Sequence, residues 1–514
     1  MLTKVYSAAI QGIEAYPVTI ETEMSQGTRF MIVGLPDTAV KESYERIVAA
    51  IGHSGLTYPR RRITINLAPA DIKKEGAGFD LPMAVGILAS AEMIPVDTLA
   101  DYMIMGELSL DGSVLPVKGV LPMAVKAREM GYKRLIVPEA NVTEAAVVNR
   151  VEVYGVRNLG EALGVIRDTG ELQPTVINTR EIFAGNVMNF DADFSEVKGQ
   201  QTVKRAFEVA CAGGHNILLI GPPGSGKSMM AKRLPSILPP LSMAEALETT
   251  KIHSVAGKLA RGSMLMTSRP FRTPHHTVSP VALVGGGSNP MPGEISLAHN
   301  GVLFLDEFPE FPRSVLEVLR QPIEDRVITV SRAKYSVNYP ASFMLVASMN
   351  PCPCGYYGHP TKPCTCMPGQ VRKYMNRISG PLLDRIDIQV EIQPVEFDDI
   401  ASTVPAESSA AIRERVIKAR AVQQARYADC PGVHCNAQIN SRLLRRYAWP
   451  DAEGLAKLKE RMTRLDMSAR AFDRILRVAR TIADLDGSEA VLTPHIAEAI
   501  GYRSLDRGNY GKTF

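Results

Sequence analysis

The chain has 514 residues, of which 45% are hydrophobic and 22% charged, and carries a formal net charge of +4. That length exceeds one ordinary core and predicts about three domains, and so small a charge does not by itself indicate nucleic acid, so any basic surface must be local. No apolar run approaches the roughly 18 residues of a membrane span, and Met1–Ile10 lacks the apolar stretch and cleavage site of a secretory leader. The expectation is a cytoplasmic protein with no membrane partner.

Residues 1–168 alternate β-like and helical runs. Phe30–Gly34, Arg62–Leu67 and Leu135–Val137 are predicted strands. Leu81–Met93 is a predicted buried helix, with Asp80 as its N-cap and Pro82 in its first turn. Val120–Met130 is another, stopped by Gly131. Residues 169–195 lose this periodicity and are polar, as a linker is. Alternation resumes over 196–395, which predicts a mainly parallel sheet. Residues 396–514 read as helices: Ile475, Val478, Ala479 and Ile482 form one stripe of a helix over Ser468–Leu485, and Arg470, Arg474 and Arg477 share another face. The predicted fold class is α/β with a helical C-terminal domain.

Asn216–Ile220 is a short apolar strand, followed directly by Gly221, Pro222, Pro223, Gly224, Ser225, Gly226, Lys227 and Ser228, then a helical stretch to Leu234. This is the phosphate-binding G-x-x-x-x-G-K-[ST] loop in its required strand–loop–helix context. Its backbone amides close around phosphate oxygens, Lys227 neutralises the β- and γ-phosphates, and Ser228 coordinates Mg²⁺. A second strand, Val302–Leu305, ends in Asp306 and Glu307. At the carboxyl end of a parallel strand Asp306 would hold Mg²⁺ through water, and Glu307 would orient and deprotonate the attacking water. A third strand ends at Asn350, which can hold that water or sense the γ-phosphate, though asparagine is also an ordinary turn residue. Arg385 lies before a further strand and Arg470 opens the late helix. Arginines so placed either stabilise phosphoryl charge, often from a neighbouring subunit, or are ordinary surface side chains.

Four of the seven cysteines cluster: Cys352, Cys354, Cys364 and Cys366. In a cytoplasmic chain such spacing predicts a closed tetrahedral Zn²⁺ site, with His359 as a substitute ligand. Four protein ligands leave no open position, so the metal would be structural.

Together these motifs resemble the helix-2-insert clade of AAA+ ATPases, which includes magnesium chelatase motor subunits and MCM helicases. Within it the chain is similar to the bacterial ComM (YifB) family of magnesium-chelatase-like ATPases. Phe271–His276, Pro292–Asn300, Asn350–Gly355, Ile378–Arg385 and Tyr502–Arg507 carry the likeness, which extends over essentially the whole chain. The resemblance implies a homo-hexameric ring with ATP and Mg²⁺ bound between subunits. Asn350 would be the first sensor, Arg385 the arginine finger and Arg470 the second sensor. The implied activity is a DNA helicase acting on single-stranded and branched or duplex DNA, driving branch migration during natural transformation, with recombinase pathway proteins as partners. The alternative is a protein- or cofactor-remodelling ATPase of the magnesium-chelatase type.

Residues 1–168 are similar to the Lon protease catalytic fold through Asp111–Gly119 and Gly131–Pro138. Lon-type proteases use a Ser–Lys dyad. Here Gly78 occupies the nucleophile's position and Leu121 the lysine's, which excludes peptidase chemistry by that route. Arg60, Arg61 and Arg62 with Lys73 and Lys74 serve equally as a phosphate-meeting patch or a solvated basic face. Two insertions sit where this clade places DNA-gripping pore loops: Thr277–Glu294, rich in Gly and Pro, and a hairpin over Ile328–Tyr339 with Arg332 and Lys334 near its turn. Their position favours that role over plain surface loops.

Overall fold

Alternating apolar runs fold the chain into two α/β units, one comprising Met1–Asn186 with Met243–Thr267, the other Val187–Ser242 with Ser268–Phe514. The computed structural model describes residues 2–179, 181, 183, 190–259, 262–287, 290–332, 335–395, 406–465, 467–503 and 505.

The first unit is built on a seven-stranded sheet in the order Phe30–Val33, Arg62–Ala68, Glu14–Ser25, Leu2–Gln11, Tyr102–Ile104, Arg134–Pro138, Glu152–Val156. A long antiparallel pair, Leu2–Gln11 against Glu14–Ser25, forms its centre. Tyr102–Ile104, Arg134–Pro138 and Glu152–Val156 then follow in parallel. Because successive strand residues face opposite sides, Ile104, Ile136 and Tyr154 enter one core with the helices Ser43–His53, Asp80–Ser90 and Leu159–Ile166. Met103, Leu135 and Val153 enter a second core on the other face, with the helix Val120–Glu129. The predicted strands and both predicted helices are present. Asp80, however, is the first residue of its helix and not a cap: its buried carboxylate accepts from Arg46 Nε at 2.6 Å and from the Leu108 amide at 3.3 Å.

Two stretches depart from the contiguous order of the sequence. Thr175 donates its amide to Val153 O at 2.8 Å, and Thr179 Oγ1 bonds Val147 O at 3.3 Å. The start of the polar linker is thus laid against the first unit. The helix Met243–Val255 also belongs there, although it follows the phosphate-binding loop in sequence. Ser254 Oγ donates to the buried Glu144 carboxyl at 2.7 Å, and Ser254 O accepts from the Gly119 amide at 3.2 Å.

The second unit has a five-stranded, all-parallel sheet in the order Phe271–Arg272, Val302–Leu305, Met344–Met349, Ile217–Ile220, Ile388–Glu391. The three central strands are wholly buried, as parallel sheets covered on both faces require. The helices Ser409–Arg426, Ser441–Tyr447, Ala452–Leu465, Ala469–Leu485 and Thr493–Gly501 share one apolar core with this sheet. Ile475, Val478, Ala479 and Ile482 are its predicted stripe, and the Ser468 hydroxyl caps their helix by accepting from the Ala471 amide at 3.2 Å. The predicted hairpin is present as Val327–Arg332 paired with Tyr335–Pro340.

Candidate active site

The strands Ile217–Ile220, Val302–Leu305 and Met344–Met349 are parallel neighbours, so their carboxyl ends open on one side of the sheet. This delivers Lys227, Ser228, Asp306, Glu307 and Asn350 to a single cleft of about 750 Å³. The phosphate-binding loop turns through Gly224 and Gly226, at φ 79° and 83°, where glycine alone is unstrained. The following helix runs only over Lys227–Ala231, shorter than predicted, and a tighter turn over Leu234–Ser236 follows.

Lys227 Nζ donates to Gly221 O and Pro222 O, both at 2.8 Å, and to Asn350 Oδ1 at 3.2 Å. Burial holds its pKa below the ordinary lysine value, and the Asp306 carboxylate opposes that shift. Ser228 Oγ donates to Asp306 Oδ2 at 2.5 Å, while Ser348 donates to the other carboxylate oxygen. A serine hydroxyl and a carboxylate in contact are the hard oxygen ligands Mg²⁺ takes, alongside phosphate and water. Glu307 sits in the left-handed region at φ 52° and ψ 47°, an uncommon conformation for a side-chain-bearing residue. Its carboxylate is 60% exposed in the cleft and lies 3.4 Å from His276 Nδ1. His276 lies against His275, ring centroids 4.0 Å apart and the rings tilted by 35°.

Sequence reasoning missed the other wall of the cleft. Gln370, Lys373, Tyr374 and Arg377 line it, and Ser348 joins Asp306 on the first side. Ser348 shares Asn350's side of a β-strand by spacing alone, and that signal was readable. Gln370, Lys373 and Tyr374 come from the helix Pro368–Met375, which no motif marks. Arg377 pairs with Glu310 at 2.7 Å, tying that wall to the segment after Glu307.

Arg385 and Arg470 lie outside this cleft. Arg385 is 6% exposed: Nη2 pairs with Glu324 at 2.8 Å, Nη1 bonds Pro381 O at 2.7 Å, and Nε has no partner among the described residues. Arg470 is exposed at the start of its helix. Its helix-mate Arg474 instead turns inward to the fully buried Asp387 at 2.8 Å. Asp387 also accepts the Asn216 amide at 2.9 Å, and despite burial the Arg474 guanidinium holds its carboxyl well below the usual range.

The four clustered cysteines converge. All four sulfurs lie within 4.8 Å of one another, with Cys352–Cys354 at 3.3 Å, Cys354–Cys364 at 3.5 Å and Cys352–Cys364 at 3.7 Å. Tetrahedral zinc at about 2.3 Å from each thiolate separates its sulfurs by about 3.8 Å, so the cluster fits such an ion. Burial raises the thiols of Cys352, Cys364 and Cys366. At Cys354 burial is overcome by the Tyr356 and Thr365 amides, and its thiol falls to about 5. His359 does not join the four sulfurs in that cluster, and its Nδ1 accepts the amides of Thr361 and Lys362 at 3.1 and 3.0 Å.

Arg332 ends the first strand of its hairpin; its side chain, and all of Lys334, lie outside the described residues. Thr277–Glu294 contains a short helix, Pro280–Val284, and a pairing of Gly285–Gly286 with Met291–Pro292, closed at its base by Arg272–Glu294 bonds of 2.7 and 2.8 Å. In the first unit Lys74 leaves the expected basic patch: it is fully buried and donates to Pro69 O. Its neighbour Lys73 is exposed and pairs with Glu75 at 2.5 Å. Gly78 lies in a turn over Ala77–Phe79, and Leu121 is fully buried, so neither position offers a nucleophile or a base.

The sequence matches family models described as magnesium chelatase, subunit ChlI, over residues 193–400, as subunit ChlI of Mg-chelatase over 20–141, and as the ChlI C-terminal region over 406–503. Competence protein ComM of Haemophilus influenzae is 42% identical over 513 residues, 98% of either chain. YifB of Escherichia coli is 42% identical over 512 residues, again 98% of either. The Lon likeness also holds: Lon protease 2 of Bacillus subtilis is 30% identical over 129 residues, 24% of this chain and 22% of that one. With strand order, phosphate-binding loop and full-length similarity in agreement, the chain belongs to the ComM (YifB) family of magnesium-chelatase-like AAA+ ATPases.

Proposed function

We propose that this ATPase is a cytoplasmic, homo-hexameric DNA motor, a helicase that drives branch migration during natural transformation. One observation carries the hydrolytic half of the reading: Lys227, Ser228, Asp306, Glu307 and Asn350 line one cleft, with Ser228 2.5 Å from Asp306 and Lys227 3.2 Å from Asn350. When bound there, ATP–Mg²⁺ supplies the phosphoryl group. Lys227 exchanges its carbonyl and Asn350 bonds for phosphate oxygens, Ser228 and Asp306 hold the metal, and Glu307 takes the proton of the attacking water. Arg385 of an adjacent copy completes the charge on the transferred group, for which it must leave Glu324, and Arg470 acts as the second sensor. The relative named a competence protein supports DNA as the track, with the hairpin around Arg332 and Lys334 and the Thr277–Glu294 insertion as its grip. In the same reading the cysteine cluster holds zinc.

The test is the ATPase rate with and without single-stranded and branched DNA, for the unmodified chain and for Lys227→Ala and Glu307→Gln. Stimulation by DNA that both substitutions abolish is the expected result. Hydrolysis indifferent to DNA, with no DNA retained by the Glu307→Gln chain, would overturn the motor and favour a remodeller of protein partners, as in magnesium chelatase.

A further inference from the structure

The excursion from Pro351 to Met367 has no helix or strand, and among its residues only Pro351, Cys352 and Gly355 are buried. Its sequence, rich in Gly and Pro, builds no apolar core that could fix it. Yet both of its ends form the nucleotide cleft. Cys352 follows Asn350 by two residues, and Cys366 precedes the helix Pro368–Met375, which brings Gln370, Lys373 and Tyr374 to the wall. Asn350, before the first cysteine, and Tyr374, after the last, line the same cleft. In the middle, Gly355 packs on the phosphate-binding loop itself. Its φ is 85°, and a Cβ there would stand 2.5 Å from Pro223 Cδ.

We propose that the four-cysteine centre sets the affinity of the cleft for nucleotide: zinc held by Cys352, Cys354, Cys364 and Cys366 fixes the Gly355–Pro223 contact and the wall helix, and loss of the metal weakens ATP binding. The proposal rests on the nucleotide reading above and adds a positioning role to what would otherwise be a remote structural metal. Metal binding releases the thiol protons, and its free energy becomes folding free energy of the loop that carries the ligands. Here that loop is one side of the ATP site. The effect falls on binding, because Asp306 and Glu307 follow the strand Val302–Leu305, which is no part of the excursion.

The experiment uses the full chain. Zinc is quantified by atomic emission, and the Kd for a fluorescent ATP analogue is read by anisotropy before and after removing zinc with a mercurial thiol reagent and chelator. Mg²⁺ is restored and the mercurial removed with excess thiol before each reading. The expected result is one zinc per chain, a Kd raised about tenfold on stripping, and recovery on adding zinc, a change of about 1.4 kcal/mol. Gly355→Ala keeps all four sulfurs while forcing Pro223 aside. It should retain zinc, raise Kd to a similar degree, and raise KM with kcat little changed, which a general loss of folding would not produce. A chain that binds the analogue tightly without zinc, or Gly355→Ala with unaltered Kd, overturns the proposal and leaves the ATPase reading standing. A zinc-loaded chain that binds no ATP analogue overturns both.

Discussion

Both units are α/β folds with parallel strands and closed buried ion pairs, Asp80–Arg46 in the first and Asp387–Arg474 in the second, but the second also sets a polar cluster at an open cleft. In the first unit each buried acid is closed off by partners from its own chain. Asp80 is bound by Arg46 at 2.6 Å, and Glu144 by Ser254 at 2.7 Å and Asn141 at 2.6 Å. In the second unit Lys227, Ser228, Asp306 and Asn350 bond one another at the floor of an open cleft. Those bonds are exchangeable: a phosphate and a hydrated Mg²⁺ offer the same groups stronger partners. Architecture therefore does not separate a working site from a retired one. What separates them is whether the polar cluster faces a space that a ligand can enter. Gly78 and Leu121 carry no nucleophile or base in the first unit, and Arg46 and Ser254 hold its buried acids Asp80 and Glu144.

The sharpest way to break this contrast is to remove one acid or its partner from each unit. Glu307→Gln should lower kcat for ATP hydrolysis by about 10² to 10³ while nucleotide binding persists, the scale of losing a group that acts in the transition state. Steady-state hydrolysis and equilibrium binding of the same preparation decide this, and a kcat within about threefold of the unmodified chain would remove Glu307 from its role. Arg46→Ala should do the reverse. It strands the fully buried Asp80 carboxylate and should cost about 3 kcal/mol of stability, read as a lowered midpoint in urea, with the ATPase rate of the folded fraction unchanged.

The same contrast governs what the sequence made legible. The phosphate-binding loop, Asp306, Glu307 and Asn350 were readable because their chemistry demands fixed residue types at strand ends. The cleft's far wall was not, because Lys373, Tyr374 and Arg377 are ordinary residues on and just after a helix that no motif marks. In the first unit the two longest strands escaped notice. Leu2–Gln11 buries Ser7, Ala8 and Ala9, small residues without the β-branched bulk that signals a strand. Lys74 read as surface charge because periodicity says nothing of a lysine whose ammonium finds a carbonyl inside the fold. The helix Met243–Val255 joins the first unit through Ser254 and Glu144, a pairing 110 residues apart that only tertiary structure discloses.

That pairing yields a smaller, pH-dependent effect. Burial raises the Glu144 pKa, and the hydrogen bonds of Ser254, Asn141 and the Leu121 amide only partly offset it. A raised carboxyl binds its proton more tightly in the folded chain. Its contribution is full below the unfolded value of about 4.3 and is lost as pH rises through the folded one. Glu144→Gln keeps the shape and stays neutral, so its stability relative to the unmodified chain should improve between pH 5 and pH 8, by about 1 kcal/mol. Thermal melts of both chains across that range test it, and parallel curves would show that Glu144 does not titrate against folding.

The smallest effect probes the retired site itself. A Cβ at Gly78 meets nothing closer than Val117 Cγ1 at 3.4 Å, and the residue has no positive φ that would penalise a side chain. Gly78→Ser should therefore fold with a change in stability within about 0.5 kcal/mol. It should also hydrolyse no peptide, because a hydroxyl alone is a weak nucleophile and Leu121 supplies no base. A melt and a casein-cleavage assay on the same protein read both halves. Measurable cleavage would mean that another group in the first unit activates the hydroxyl, and the division between a working and a retired site would have to be redrawn around that group.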